Sequence, residues 1–366
     1  MDILRPGKAY CKKAAKVGVL GLALLGGVVL SMNQKPIVHH VSKTGSLLGR
    51  KFRVMSVNIA RGEGDTLYVK DLLMPPGKPT AGIDALEDIV REEKIDIMCS
   101  QEIEAAYTHG QDQPARIAGR THLVNYTFGQ NFAYHLPFMP SKWFADGNSI
   151  HARTKLDTPR KIPFDADNPS FLVRAAKPFA GIKGILHDRT YYSDGKGVYP
   201  VNIICTHLSA IKVDHNERDY EMKRLFDYAA QNTPAIVMGD FNTVPLGVQF
   251  IYNGQGGTYE GELGWYLAKA TESIYGVKIQ YDPGLHLFEP EMHPILPATY
   301  FGPVPPGQMG KPAEPDWTVP QKIIDYVLIV THPDDPIKLR LKDTEVYYRR
   351  RCSDHVPVIA DIEVVE

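Results

Sequence analysis

AIVMGDFNTVP, residues 235–245, is the stretch on which the reading of this chain turns. Ala235 to Met238 is a short apolar run of the kind that fills a core strand. Gly239, Asp240, Phe241 and Asn242 then set a carboxylate and a carboxamide two residues apart where that strand surfaces. Asp and Asn are ordinary turn residues, so a turn explains the stretch equally well when it is taken alone. The pattern recurs, however. Asn58 closes KFRVMSVNI (51–59), and Gln101 and Glu102 close IDIMCSQE (95–102). Asn148 precedes a strand at Ser149, and His207 follows IICT. Asp325 lies within KIIDYVLIV (322–330), and Asp354 and His355 precede VPVIADIEV (356–364). Strands packed side by side would gather these acids, amides and histidines along one edge.

Helix signals lie between the strands. Thr80 can cap a helix running through Glu93, with Ile83, Leu86, Ile89 and Val90 on one face. Asp214 opens a second, to about Gln231, with Met222, Leu225, Phe226 and Ala229 facing inward. GNSIHARTKL, FLVRAAKPF, YPVNIICTHL and TEVYYRR are further strand candidates. Residues 253–320, rich in Gly, Pro and aromatics, read as a loop-heavy insertion. Two runs of strands with helices between them predict a sheet core of two layers flanked by helices.

The 366 residues carry a net charge of −1, which hides an asymmetry. Residues 1–35 hold six basic side chains against one acidic, so the remainder is at −6 and has no global attraction for nucleic acid. Val17 to Met32 is an uncharged run of 16 residues behind five basic ones. It reads as a hydrophobic helix, a signal anchor in preference to a cleaved signal peptide, with everything after it exported. The expected organisation is an anchor or signal over 1–35, a tether over 36–50 and one domain over 51–366. Cys11, Cys99, Cys205 and Cys352 show no metal spacing, so neither a zinc site nor a disulfide framework is expected.

Glu, Asp, Asn and two His without a thiolate suit a hard divalent cation and a phosphate: magnesium, or manganese, in preference to zinc. Asp240 or a His–Asp pair would activate a water. SVNIARG, CSQEIE, DGNSIHART, ICTHLSA, VMGDFNTVP, KIIDYVLI and CSDHVPVIADI resemble, in order and spacing, the motifs of the endonuclease/exonuclease/phosphatase superfamily, over residues 51–366. The resemblance implies a four-layered α/β sandwich with two central, mostly antiparallel sheets flanked by helices. It implies metal binding by Glu102 with Asn58 beside it and Asp354 nearby. Asp240 would orient or deprotonate the attacking water, Asn242 would hold the phosphate, and His355 would pair with Asp325. His207 would contact the phosphate, with Asn148 supporting the same face. Where the family's secreted deoxyribonucleases follow the arginine of the corresponding strand with a glutamate, this chain has Thr154 after Arg153.

The implied activity is hydrolysis of a phosphodiester, or alternatively of a phosphomonoester, with a lipid headgroup or small phosphodiester favoured by the acidic body and the membrane segment. The alternatives are an exported nuclease acting on DNA or RNA, and a non-catalytic phosphate-binding module. No protein partner is implied. Phe132, Tyr134, Phe138, Trp143, Phe144, Trp265 and Tyr266 are candidates for a lipid- or base-contacting rim. Lys322 and Arg349 to Arg351 are candidates for a basic groove.

Overall fold

The structure is a computed structural model that describes residues 38–43, 45–60, 81–105, 112–134, 144–164, 183–209, 215–242, 249–252, 255–258, 263–281, 308–312 and 324–365. Its elements begin with β1 (Val38–Val41), β2 (Lys51–Asn58), α1 (Ala81–Glu92), β3 (Ile97–Glu104) and α2 (Gln113–Arg120). There follow β4 (Asn125–Tyr134), β5 (Phe144–Ala152), β6 (Arg160–Pro163), β7 (Gly184–Ser193) and β8 (Val198–His207). The chain continues through α3 (His215–Ala230), β9 (Ala235–Asp240), β10 (Gln249–Tyr252), β11 (Gln255–Thr258) and α4 (Leu263–Tyr275). It closes with β12 (Lys278–Tyr281), β13 (Asp325–Thr331), β14 (Lys338–Val346) and β15 (Val358–Val365).

One sheet has the order β1-β4-β5-β3-β2-β15-β14, and the other β12-β13-β9-β8-β7-β6. Only two pairs in these sheets are parallel, β2 with β3 and β8 with β9. Each is bridged by a helix, α1 or α3, because a parallel pair needs a crossover long enough to bring the chain back to its starting end. Val54, Cys99, Ile150, Ile203, Cys205, Met238 and Val327 are among the side chains that fill the space between the sheets. The outer face of the first sheet packs on α1 and α2 through Met55, Val57, Ile83, Leu86 and Ile117. That of the second packs under α3 and α4 through Ile204, Val237, Met222, Leu225 and Ala268. Helices therefore cover both outer faces of two stacked sheets. Each fully buried aliphatic side chain contributes about 1.5–3 kcal/mol relative to exposure.

Several local expectations change. Residues 36–50, read as a tether, contain β1, which pairs with β4, and the buried Leu48. The expected loop-rich region 253–320 contains β11, α4 and β12. TEVYYRR (344–350) belongs to β14 only as far as Val346. FLVRAAKPF (171–179) and the apolar run at 17–32 lie outside the described residues. Among the described residues no helix is long and apolar enough to cross a membrane.

Candidate active site

The parallel pairs deliver their carboxyl ends to one place. Asn58 ends β2, His207 ends β8 and Asp240 ends β9, with His207 and Asp240 directly opposed in register. Asp325, at the first position of β13 and not within the strand, is the other neighbour of Asp240. Gly239 does not turn the chain, as it lies inside β9. Its role is close approach: a Cβ there would fall 2.1 Å from the Thr206 carbonyl oxygen of β8.

Glu102 also lies within its strand, not at the strand's end. The β3–β5 register slips between Ser100 and Ile103, and Glu102 has φ of 52°, in the left-handed region that costs a non-glycine residue about 1–2 kcal/mol. A bulge of this kind re-aims a side chain, and here the Glu102 carboxylate reaches Asn58, whose Nδ2 donates to Oε1 at 3.2 Å. Asn242, with φ of 48°, is in the same left-handed region.

Both oxygens of Asp240 are held. The Asn242 backbone N–H donates to Oδ1 at 2.9 Å and Asn58 Nδ2 donates to Oδ2 at 3.1 Å. His207 Nε2 lies 3.5 Å and His355 Nε2 4.0 Å from Oδ2. On its far side His355 Nδ1 donates to Asp325 Oδ2 at 2.7 Å. Asn242 Nδ2 donates to the Leu208 carbonyl at 3.0 Å, which also accepts from Lys183 Nζ at 2.7 Å. Asp354 accepts from Ser353 Oγ at 2.8 Å.

Burial pushes the charges apart. The Asp240 carboxyl rises to about 7, first through burial and then through the negative charge of Asp325, against the pull of His355, Lys183 and Asn58. Burial alone would depress His355, but the charge and hydrogen bond of Asp325 outweigh it and raise the ring to about 10. His207 goes the other way, held well below its ordinary value by burial and by the positive charges of Lys183, His355 and Lys161. It is neutral although two carboxylates are within 4 Å. The Asp354 carboxyl is raised by burial, with His355 opposing and Glu102 adding to the rise. Asp240, Asp325 and His355 each bring one ligand atom within 4.8 Å of the others, a grouping compatible with a cation.

The structure thus brings together Asn58, Glu102, His207, Asp240, Asn242, Asp325 and His355, with Asp354 beside His355. Asn148 is buried inside β5, where its neighbours Ser149 and Gly147 pair with Ser100 and Ile103 on either side of the bulge that carries Glu102. Lys183 was not anticipated: a lone lysine ahead of an apolar strand carries no signal of its own. Arg349 and Arg350 do not form a basic groove, because they pair with Glu345 and Glu93 and with Asp88 and Glu92. Arg351 is buried. The rim aromatics and Lys322 have side chains outside the described residues.

A family model described as Endonuclease/Exonuclease/phosphatase family matches residues 55–355. The chain belongs to that family. Endonucleases, exonucleases and phosphatases alike hydrolyse phosphoester bonds. Among solved structures, the endonuclease/exonuclease/phosphatase from Beutenbergia cavernae is 18% identical with a TM-score of 0.55, over 86% of this chain and 72% of that one. The human Nocturnin catalytic domain with bound sulfate anion is 16% identical with a TM-score of 0.50, over 90% and 98%. D. rerio TDP2 complexed with single strand DNA product is 13% identical with a TM-score of 0.50, over 86% and 99%. At such identities the likeness is one of fold. No curated protein matches the chain.

Proposed function

We propose that the chain is a divalent-metal-dependent phosphodiesterase acting on a lipid headgroup or another small phosphodiester. The observation that carries this reading is the Asp240 carboxylate, clamped by Asn58 and Asn242 and faced by one neutral and one cationic histidine. A carboxyl with a pKa of about 7 both orients a water and accepts its proton near neutral pH. Cationic His355, held by Asp325, supplies a proton or a positive charge to the oxygens on phosphorus. Neutral His207 and the amides of Asn242 and Asn148 offer uncharged N–H donors to the same oxygens.

The donor set near Glu102 fits a hard cation: the Glu102 carboxylate is near enough for its charge to raise the Asp354 carboxyl, and the Asn58 amide is hydrogen-bonded to Glu102. Magnesium or manganese, when bound, supplies Lewis-acid stabilisation of the charge that builds on the phosphoryl oxygens. We place it on Glu102 and Asp354, with Asn58 beside them, because Asp325 is already hydrogen-bonded to His355.

The −6 charge of residues 36–366 and the ion-paired Arg349 and Arg350 favour a small phosphodiester over a polyanion. The nuclease reading is the second, since the TDP2 structure of the same fold holds a single strand DNA product. Export rests on the basic flank and apolar run of residues 1–35 alone. An alkaline phosphatase reporter fused after residue 50 would be active if that segment directs export and silent if it does not.

The deciding experiment uses the full chain with magnesium or manganese on bis-p-nitrophenyl phosphate, sphingomyelin vesicles, plasmid DNA and RNA. Turnover that chelator and Asp240→Ala both abolish is expected. A folded chain that turns over none of these refutes the hydrolase reading and leaves a phosphate-binding module.

A further inference from the structure

Behind the site, on the floor between the sheets, runs a chain of polar groups that ends at Asn148. Lys161 lies on β6, opposite Leu186, which is part of the inter-sheet core. Its stem crosses to the other sheet over Gly129, where a Cβ would meet Leu186 Cδ1 at 2.7 Å and Lys161 Cδ at 3.1 Å. Gly129 is the register partner of Asn148. Lys161 Nζ donates to Asn131 Oδ1, and Asn131 Nδ2 donates to Asn148 Oδ1 at 3.3 Å. Asn148 has no exposed surface, and among the described residues its Nδ2 has no hydrogen-bond partner.

The direction of this chain follows from proton chemistry. An ammonium group only donates. Asn131 must therefore turn its oxygen to Lys161 and its NH₂ to Asn148, and Asn148 must in turn present its oxygen to Asn131. The end left over is the Asn148 NH₂, a donor. A buried amide N–H without an acceptor is destabilising, because it has lost its water partner and gained none, so the arrangement is explained by an acceptor that arrives from outside the fold. Asn148 shares the inner face of β5 with Ile150, beside the bulge that carries Glu102. Lys161 is also near enough to His207 to help keep that ring neutral. Burial lowers the Lys161 ammonium only to about 8, so it is charged at pH 7.

We propose that Lys161 and Asn131 are positioning residues that lock the Asn148 amide with its NH₂ toward a phosphate oxygen of the substrate. The inference rests on the phosphoester reading above and deepens it. Without the lock, Asn148 is free to flip and offer its oxygen, which repels the anion. Asn131→Leu is the informative change, because it keeps volume and net charge while cutting the relay. Lys161→Met, which also removes a charge, should act in the same direction.

The test measures KM and kcat on bis-p-nitrophenyl phosphate and, separately, the affinity for inorganic phosphate by calorimetry, on the full chain. For Asn131→Leu the expected result is a KM and a phosphate Kd raised about tenfold, the scale of one hydrogen bond to a charged group, with kcat within about twofold. A role in packing alone would lower the melting temperature and leave both constants unchanged. Should Asn131→Leu not fold, Asn131→Asp retains the shape and the Lys161 contact but cannot donate to Asn148, and the same rise is expected. Unchanged KM and Kd in a folded variant overturn the relay, and so does a wild-type chain that binds no phosphate. If wild type binds phosphate without turnover and the variants bind it more weakly, the relay stands and the hydrolase reading falls.

Discussion

Replacing Asp325 by Asn isolates the charge that holds His355 cationic, since the amide is nearly isosteric with the carboxylate. Asp325 is the largest influence raising His355 to about 10, working against burial. Without it, burial is opposed only by Asp354 and Asp240, and the ring should fall to its ordinary value of about 6.5 or below. If turnover needs cationic His355, wild type keeps its activity up to about pH 10. Asp325→Asn would lose about 30-fold at pH 8 from protonation alone, and about tenfold more for each further pH unit until the wild-type limb begins. Stability should change much less. A histidine whose folded pKa is raised stabilises the fold fully below about 6.5 and loses that contribution as pH rises through about 10, so the substitution removes stability at pH 7. The same substitution frees Asp240 of a like-charged neighbour, lowering a carboxyl whose ionisation between about 3.8 and 7 opposes folding. The two effects oppose each other at neutral pH. The assay is kcat/KM on bis-p-nitrophenyl phosphate from pH 6 to 10, with thermal melting at each pH. An alkaline limb that stays near 10 in Asp325→Asn refutes the electrostatic role. A loss of equal size at every pH would make Asp325 an orienting group only.

Three further outcomes follow from the same geometry. The ring carbons of His355 should report the cationic form up to about pH 10 and those of His207 the neutral form through pH 6, in NMR spectra assigned with the two single His→Asn variants; a common titration near 6.5 contradicts the divided environment. Gly239→Ala drives a methyl into the Thr206 carbonyl and should cost about 2 kcal/mol or more in urea unfolding by prising β8 from β9, whereas a change under about 0.5 kcal/mol would mean the strands part easily. Magnesium should raise the melting temperature of wild type but not of Glu102→Gln, which keeps the Asn58 contact and loses the charge; equal rises in both would move the cation to the Asp240, Asp325 and His355 group.

What could be read in advance follows a physical line between local and non-local information. β9 was legible as a short apolar run, β2 and β15 because apolar and polar residues alternate along them, and α1 and α3 because their buried residues repeat at helical spacing. β1, β6 and β12 are edge strands of four residues, held by pairing with a neighbour more than by their own composition. α4 was masked by the glycine and aromatic content around Trp265, although Ala268 and Thr271 are inside. Within the site, strand ends advertise themselves because a polar residue after an apolar run is visible in one dimension. That is why Asn58, His207, Asp240 and His355 could be singled out together. The bulge at Glu102 is a slip between β3 and β5, and it exists only once those strands are paired. The contact of Lys161 with Asn131 spans two sheets, and the reason it can form is a missing side chain two residues before Asn131 on β4, at Gly129. No window of residues carries such a contact. The acids, amides and histidines at the strand ends are thus readable from sequence, while the contacts that hold them appear only when the two sheets are stacked.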